Sequence, residues 1–129
     1  MSRACLILLL TWTLVPPVWA ADDPSIQGEL RQQVRASMEQ FVKDRTVNET
    51  FLLYDPIEDR LLRLELEKLH DGIVKKGELY VSCADFKDQS GRALDVDLFV
   101  LPAGNGMQTT QAVVHKVDGK KRQYQLEVH

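Results

Sequence analysis

Apolar residues fall at Ile26, Leu30, Val34, Met38, Phe41 and Val42, mostly four apart, while Arg31, Arg35, Glu39 and Lys43 occupy other positions. A period near 3.6 is the mark of a helix with one apolar stripe, here about 20 residues long. Asp22-Asp23-Pro24-Ser25 opens it, with Asp23 as the cap and Pro24 at the first helical position. The stripe is too narrow for a helix buried all round. It predicts a helix lying along one surface of something flat.

After Asn48 the period changes to two. Thr50-Phe51-Leu52-Leu53-Tyr54 reads as a first strand, and Asp55-Pro56-Ile57-Glu58-Asp59 turns the chain. Leu62, Leu64 and Leu66 alternate with Arg63, Glu65 and Glu67, which predicts a strand with one wet face. A loop is expected from His70-Asp71-Gly72 to Lys75-Lys76-Gly77, then a third strand over residues 78–86. Asp88-Gln89-Ser90-Gly91 is a turn; Leu94, Val96, Leu98 and Val100 form the inner side of a fourth strand, with Asp95 and Asp97 outside. Pro102-Ala103-Gly104-Asn105-Gly106 turns again, and a fifth strand covers residues 111–117. Asp118-Gly119 signals a two-residue hairpin, followed by a sixth strand on Tyr124, Leu126 and Val128. The fold class expected is α+β: one long N-terminal helix packed on a five- or six-stranded antiparallel meander.

The first twenty residues follow a different logic. Met1-Ser2-Arg3 carries one positive charge, an apolar run extends from Ala4 to Val15, Pro16-Pro17 break it, and Val18-Trp19-Ala20 supplies small residues before a cut between Ala20 and Ala21. This is the order of a secretory signal peptide. The apolar run is shorter than the roughly 20 residues of a membrane-spanning helix. The expected organisation is therefore a signal peptide over residues 1–20 and a single α+β domain over residues 21–129, exported to a periplasm or secreted, with no stable membrane span after cleavage.

Cleavage changes the inventory. A chain of 129 residues with net charge −3 becomes one of 109 residues with net charge −4, because Arg3 is lost. Mild acidity argues against nucleic acid, which demands a basic stripe. Of the two cysteines, Cys5 is removed and Cys83 remains, so no internal disulfide can form. Cys83, in the strand-like run Leu79-Tyr80-Val81-Ser82-Cys83-Ala84, is expected to be a buried free thiol.

Chemistry is sparse. Asp95 and Asp97 are two apart on a strand and leave the same face. Two carboxylates side by side can hold a hard cation or share a proton, with Asp85 and His115 on neighbouring strands. The simpler reading is an ordinary charged wet face. The stretch from Asp85 to Gly91 fails as a calcium loop, since Lys87 and Ser90 stand where an acidic ligand and a glycine are needed. His70, His115 and His129 show no helical zinc spacing, and no Cys-x-x-Cys exists. Val113, His115 and Val117 are expected to share a strand face. No haem motif, phosphate loop or nucleophile elbow is readable, so neither a cofactor nor a metal is expected. Lys116-Val-Asp-Gly-Lys120-Lys121-Arg122 is a small basic knot, and Asn48-Glu49-Thr50 is a formal glycosylation sequon.

Tyr80-Val-Ser-Cys83-Ala-Asp85-Phe86, Asp95-Val-Asp97-Leu-Phe99 and His115-Lys-Val-Asp118-Gly-Lys120 together resemble a family of small exported bacterial proteins without assigned activity. That resemblance implies a fold and a compartment, and nothing about reaction. At fold level the element order is similar to cystatin-like and NTF2-like half-rolls. A protease-inhibitor reading fails on residues: Gln111-Ala-Val113-Val-His115 has His where the inhibitory Gln-x-Val-x-Gly hairpin has Gly.

The expectation is an exported, non-catalytic binding or accessory module. Its face for an unknown protein or small-molecule partner would carry Asp85, Asp95, Asp97, Phe99 and His115. One alternative is a small ligand-binding or enzymatic cup using His115 with Asp95 or Asp97. Another is a structural subunit of an exported assembly, linked through Cys83.

Overall fold

A computed structural model describes residues 21–123. The expected signal peptide, with Ala20 on its side of the cut, and the expected strand on Tyr124, Leu126 and Val128 lie outside the described residues. Ala21, on the other side of the cut, is the first described residue; it is exposed and belongs to no helix or strand. The order is α1 (Gly28–Asp44), β1 (Thr46–Val47), β2 (Thr50–Asp55), β3 (Arg60–Lys76), β4 (Leu79–Asp88), β5 (Ala93–Ala103), β6 (Gly106–Val117) and β7 (Lys120–Lys121). The seven strands among the described residues form one antiparallel sheet in sequence order. The class is α+β, helix on antiparallel sheet, as the change of period predicts. No helix among the described residues is long and apolar enough to cross a membrane.

The helix starts later than its stripe suggests and is 17 residues long. Asp23 caps a turn instead: its Oδ1 accepts from the Ser25 amide at 2.9 Å and the Ser25 hydroxyl at 2.7 Å. Gln27 then stands extended before Gly28 and provides no side-chain cap. Asp23 spends its acceptor two residues away, so Pro24 and Ile26 belong to a turn, although Ile26 is still buried in the core. Val34, Met38, Phe41 and Val42 form the buried side of α1. Glu29 in the first turn and Lys43 in the last match the helix dipole.

On the sheet, Ala84 and Phe86 of β4, Leu94, Val96, Leu98 and Val100 of β5, and Phe51, Leu62, Leu64 and Ile73 complete the same core. Phe51 stacks on Phe86 with centroids 4.9 Å apart and meets Phe41 of the helix at 6.3 Å. Strict alternation on β5 puts its branched residues on this side, which gives the helix an apolar floor.

Two corrections concern the strands. The two-residue strands β1 and β7 are too short to show alternation, so the sheet has more strands than expected. The loop expected from His70 to Gly77 shrinks to a turn at Gly77 and Glu78: β3, 17 residues long, continues through the rest of it to Lys76. The pairing Leu69↔Ala84 is followed by Ile73↔Ser82, so residues 70–72 bulge opposite Cys83 alone. Polar residues and a glycine there suggest a loop to the eye, but their backbone stays in the ladder's path. The Asp118–Gly119 connection is the primed turn expected, with φ of 49° and 76°.

Further register shifts lie in β3 near Glu67 and in β6 near Thr110 and His115. Bulges bend a strand and increase its twist. Their sum rolls the sheet: Arg122, just beyond β7, reaches Asp55 of β2 at 2.6 Å although four strands separate β2 from β7 in the hydrogen-bonded order.

Candidate functional site

The face of the sheet turned away from α1 carries the polar residues that alternation excludes from the core. Register aligns them in rows across strands: Asp85 opposite Asp95 and then Lys116; Cys83 opposite Asp97; Val81 opposite Phe99. Asp85, Asp95, Asp97, Phe99, Cys83 and His115 therefore share this outer face, on three adjacent strands.

Asp97 does not behave as a wet-face carboxylate. It is only 3% exposed. Its Oδ1 accepts from the Cys83 thiol at 2.9 Å, and its Oδ2 lies 3.3 Å from His115 Nδ1. A buried carboxylate is costly unless hydrogen-bonded or paired, and these contacts are part of what offsets that cost. Phe99 is buried beside it, whereas Asp95 stays half-exposed with its carboxylate 3.7 Å from the Lys116 ammonium. The two aspartates thus have different environments.

His115 owes its position to a bulge. Val96 pairs with Val114 while Asp95 pairs with Lys116, so His115 is the extra residue of β6. Because the extra residue resets the alternation, Lys116 also faces Asp95, and Val117 pairs with Leu94 and packs against the core. Val117 therefore does not share the His115 face, contrary to the alternation read from sequence. The imidazole is 31% exposed and rests on the buried Asp97.

Burial pushes the Cys83 thiol up from its ordinary pKa, and the neighbouring Asp97 carboxylate adds to the rise. A thiol held protonated is a poor nucleophile and a poor partner for disulfide exchange. It is free and partly buried.

The bulge at residues 70–72 brings in His70, which the sequence places in a loop. His70 Nε2 lies 2.8 Å from Asp85 Oδ1. The two atoms are close without the alignment of a hydrogen bond, since the buried Nε2 has no hydrogen-bond partner. Backbone oxygens of the bulge are held from several sides: Ser82 Oγ donates to Gly72 O at 2.7 Å, and Arg35 of α1 donates to His70 O at 2.7 Å. His70 and Lys116 are thus members of the outer face that sequence reasoning missed. The only hint was a glycine inside an otherwise strand-like stretch.

Elsewhere the chemistry is structural. The turn after β4 is built on Asp88, whose Oδ1 accepts from the Ser90 amide and hydroxyl and the Arg92 amide at 2.7–2.9 Å. This is a tight turn and not a calcium loop. Arg92 joins Asp88 to Glu58, and Arg122 joins Glu58 to Asp55. The basic knot at the last hairpin is thereby reduced: Arg122 points inward, Lys116 faces Asp95, and Lys120 and Lys121 remain exposed. Ala21 is no part of this chemistry: it is an exposed residue ahead of Asp22, with an apolar methyl side chain. Among the described residues no three of His, Cys, Asp and Glu are placed to hold a metal ion. Comparison with protein-family models, curated proteins and solved structures finds no match to this chain.

Proposed function

We propose that this protein is an exported, non-catalytic binding module that engages its partner through the outer face of the sheet. The observation that carries the reading is the buried Asp97 beneath a half-exposed rim of His70, Asp85, Asp95, His115 and Lys116. Such a rim, with both charge signs and two imidazoles on a rigid sheet, can make several directed polar contacts at little cost in side-chain ordering. The raised thiol pKa of Cys83 speaks against a cysteine nucleophile and against a disulfide-linked assembly. Export rests on the signal-like residues 1–20, and the motif resemblance to small exported bacterial proteins agrees with it.

The test is capture of a partner from the extracytoplasmic fraction of the source, with the captured protein identified by mass spectrometry. His115→Ala and Asp85→Ala should each weaken capture by about tenfold if these residues are central contacts; Asp85→Ala should leave the unfolding midpoint unchanged, whereas His115→Ala, which strips a contact from the buried Asp97, should lower it. Lys120→Ala, on the exposed hairpin, serves as the control. Capture indifferent to both rim substitutions places the interface elsewhere.

The contact between Asp97 Oδ2 and His115 Nδ1 supports a second reading, a small ligand cup with an acid–base pair. A carboxylate that orients an imidazole is a common arrangement for proton transfer. Asp95, occupied with Lys116, drops out of that pair. Saturable 1:1 shifts of the His115 ring resonances by a small molecule, with no protein captured, would favour the cup.

A further inference from the structure

The bulge that carries His70 is tied to the start of the described chain. The Asp23 amide donates to Ile73 O at 2.8 Å, and the Ile73 amide donates to Asp22 Oδ1 at 3.0 Å. Residues 22 and 23 thus pair with β3 at the point where the bulge ends. Arg31 of α1 joins the two parts: its guanidinium donates to Asp22 Oδ1 at 2.7 Å, to Asp23 O at 3.4 Å and to Asp71 O, and its Nε to Ile26 O at 2.6 Å. One turn further along, Arg35 holds His70 O and sits 3.0 Å from the Asp71 carboxylate. An unbroken set of contacts therefore runs from Asp22 through Arg31 and Asp71 to His70 and on to Asp85.

We propose that Asp22 and Asp23 form an N-terminal strap that locks the His70 bulge into the outer face, so that loss of the strap unlocks that face. The functional half of this statement rests on the outer face being the partner surface. A bulge of three residues opposite one, two more than the ladder needs, has many backbone conformations. Here Arg35, Arg31 and Ser82 hold the carbonyls of His70, Asp71 and Gly72, and the Asp22 carboxylate holds the trailing Ile73 amide, which is how the ring of His70 is kept beside Asp85. The hydrogen bonds from Arg31 and Ile73 hold the Asp22 carboxyl below its ordinary pKa. The strap begins one residue after the expected cut, with Ala21 between. Cleavage there preserves both acids, whereas trimming that reaches Asp23 removes them and disables the face. The N-terminus would then act as a proteolytic off-switch for binding.

The experiment is residue-resolved hydrogen exchange on the full chain with Asp22→Ala and, separately, Arg31→Lys, which retains charge but loses the fork. Exchange at the Ile73 amide and across residues 70–72 should rise roughly three- to tenfold, the effect of losing one or two hydrogen bonds in a local opening. The His70 ring resonances should move, while the helix amides of Val34, Met38 and Val42 keep their protection. Unchanged exchange at Ile73 in both variants overturns the strap. So does a parallel rise at the helix amides, which would mean general destabilisation. Partner capture is measured on the same samples. An unlocked bulge with full capture overturns the off-switch. If the unmodified chain captures nothing, the binding reading fails while the exchange data still decide the strap.

Discussion

Arg122 Nη1 lies 2.6 Å from Asp55 Oδ1, with the arginine side chain 10% and the aspartate side chain 2% exposed. This contact joins the end of the described chain to its second strand across the inside of the rolled sheet. Arg122 continues to Glu58, and Arg92 links Glu58 to Asp88, so the β2–β3 and β4–β5 connections and the residue after β7 meet in one charged cluster. The roll is held at this end by charge and on its other flank by the apolar side of α1.

Removing Arg122 leaves Asp55 as a buried carboxylate without its arginine, one oxygen keeping the Ile57 amide at 3.2 Å and the other already lacking a partner. Arg122→Ala should therefore cost about 3–5 kcal/mol of stability, the usual penalty for breaking a buried pair. Adding Asp55→Asn should recover part of that loss. Urea denaturation of the two single variants and the double variant measures it, and equal, additive losses would show that the pair is not coupled.

Acid should weaken the same cluster. Hydrogen bonds from Arg92 hold Glu58 down to about 2, against an ordinary value of 4.5. For Asp88, burial acts upward, but hydrogen bonds from Arg92 and Ser90 outweigh it and leave the carboxyl below its ordinary range. A group whose folded pKa is depressed contributes its full stability above the unfolded value and loses it as pH falls towards the folded one. The melting temperature should thus decline as pH drops from about 4.5 towards about 2. Glu58→Gln should start lower at pH 7 and show a flatter decline. A parallel profile for the two proteins would remove Glu58 from this role.

The Cys83 thiol should resist modification. Its burial and the adjacent Asp97 carboxylate both favour the protonated form. Reaction with a disulfide reagent at pH 8 should be at least about tenfold slower in the folded chain than in denaturant, because the thiolate is the reactive species. Asp97→Asn removes the negative charge and should speed the reaction. Fast modification of the native protein would contradict the contact between these side chains.

The core tolerates little loss of volume. Met38 and Phe86 are fully buried on the helix and on β4. Met38→Ala should cost about 2–5 kcal/mol and Phe86→Ala about 3–5 kcal/mol, transfer and cavity terms together. Thermal or chemical unfolding checks both. Leu61→Ala, at an exposed position of β3, should change stability by no more than about 0.5 kcal/mol.

The sequence by itself determined the class of the fold, because burial of one side of a helix or strand imposes a period that survives in the residue order. The stripe on Val34, Met38 and Phe41, the alternation on Leu94, Val96, Leu98 and Val100, and the Asp118–Gly119 turn are each legible within a dozen residues. It also placed Asp85, Asp95, Asp97 and Phe99 on one side of adjacent strands, since β4 and β5 keep an unbroken register. Only the tertiary structure decided the rest. Bulges shift the period by an amount that no local pattern records, so His70 enters the face from an expected loop, and His115 and Lys116 come to the same side of β6. Burial of Asp97 and the pairing of Asp55 with Arg122 depend on how far the sheet rolls, which is a sum over many strands. Asp23 illustrates the limit at the smallest scale: as a cap it could serve the helix or the turn before it, and the contact of its amide with Ile73, fifty positions along the chain, accompanies the turn.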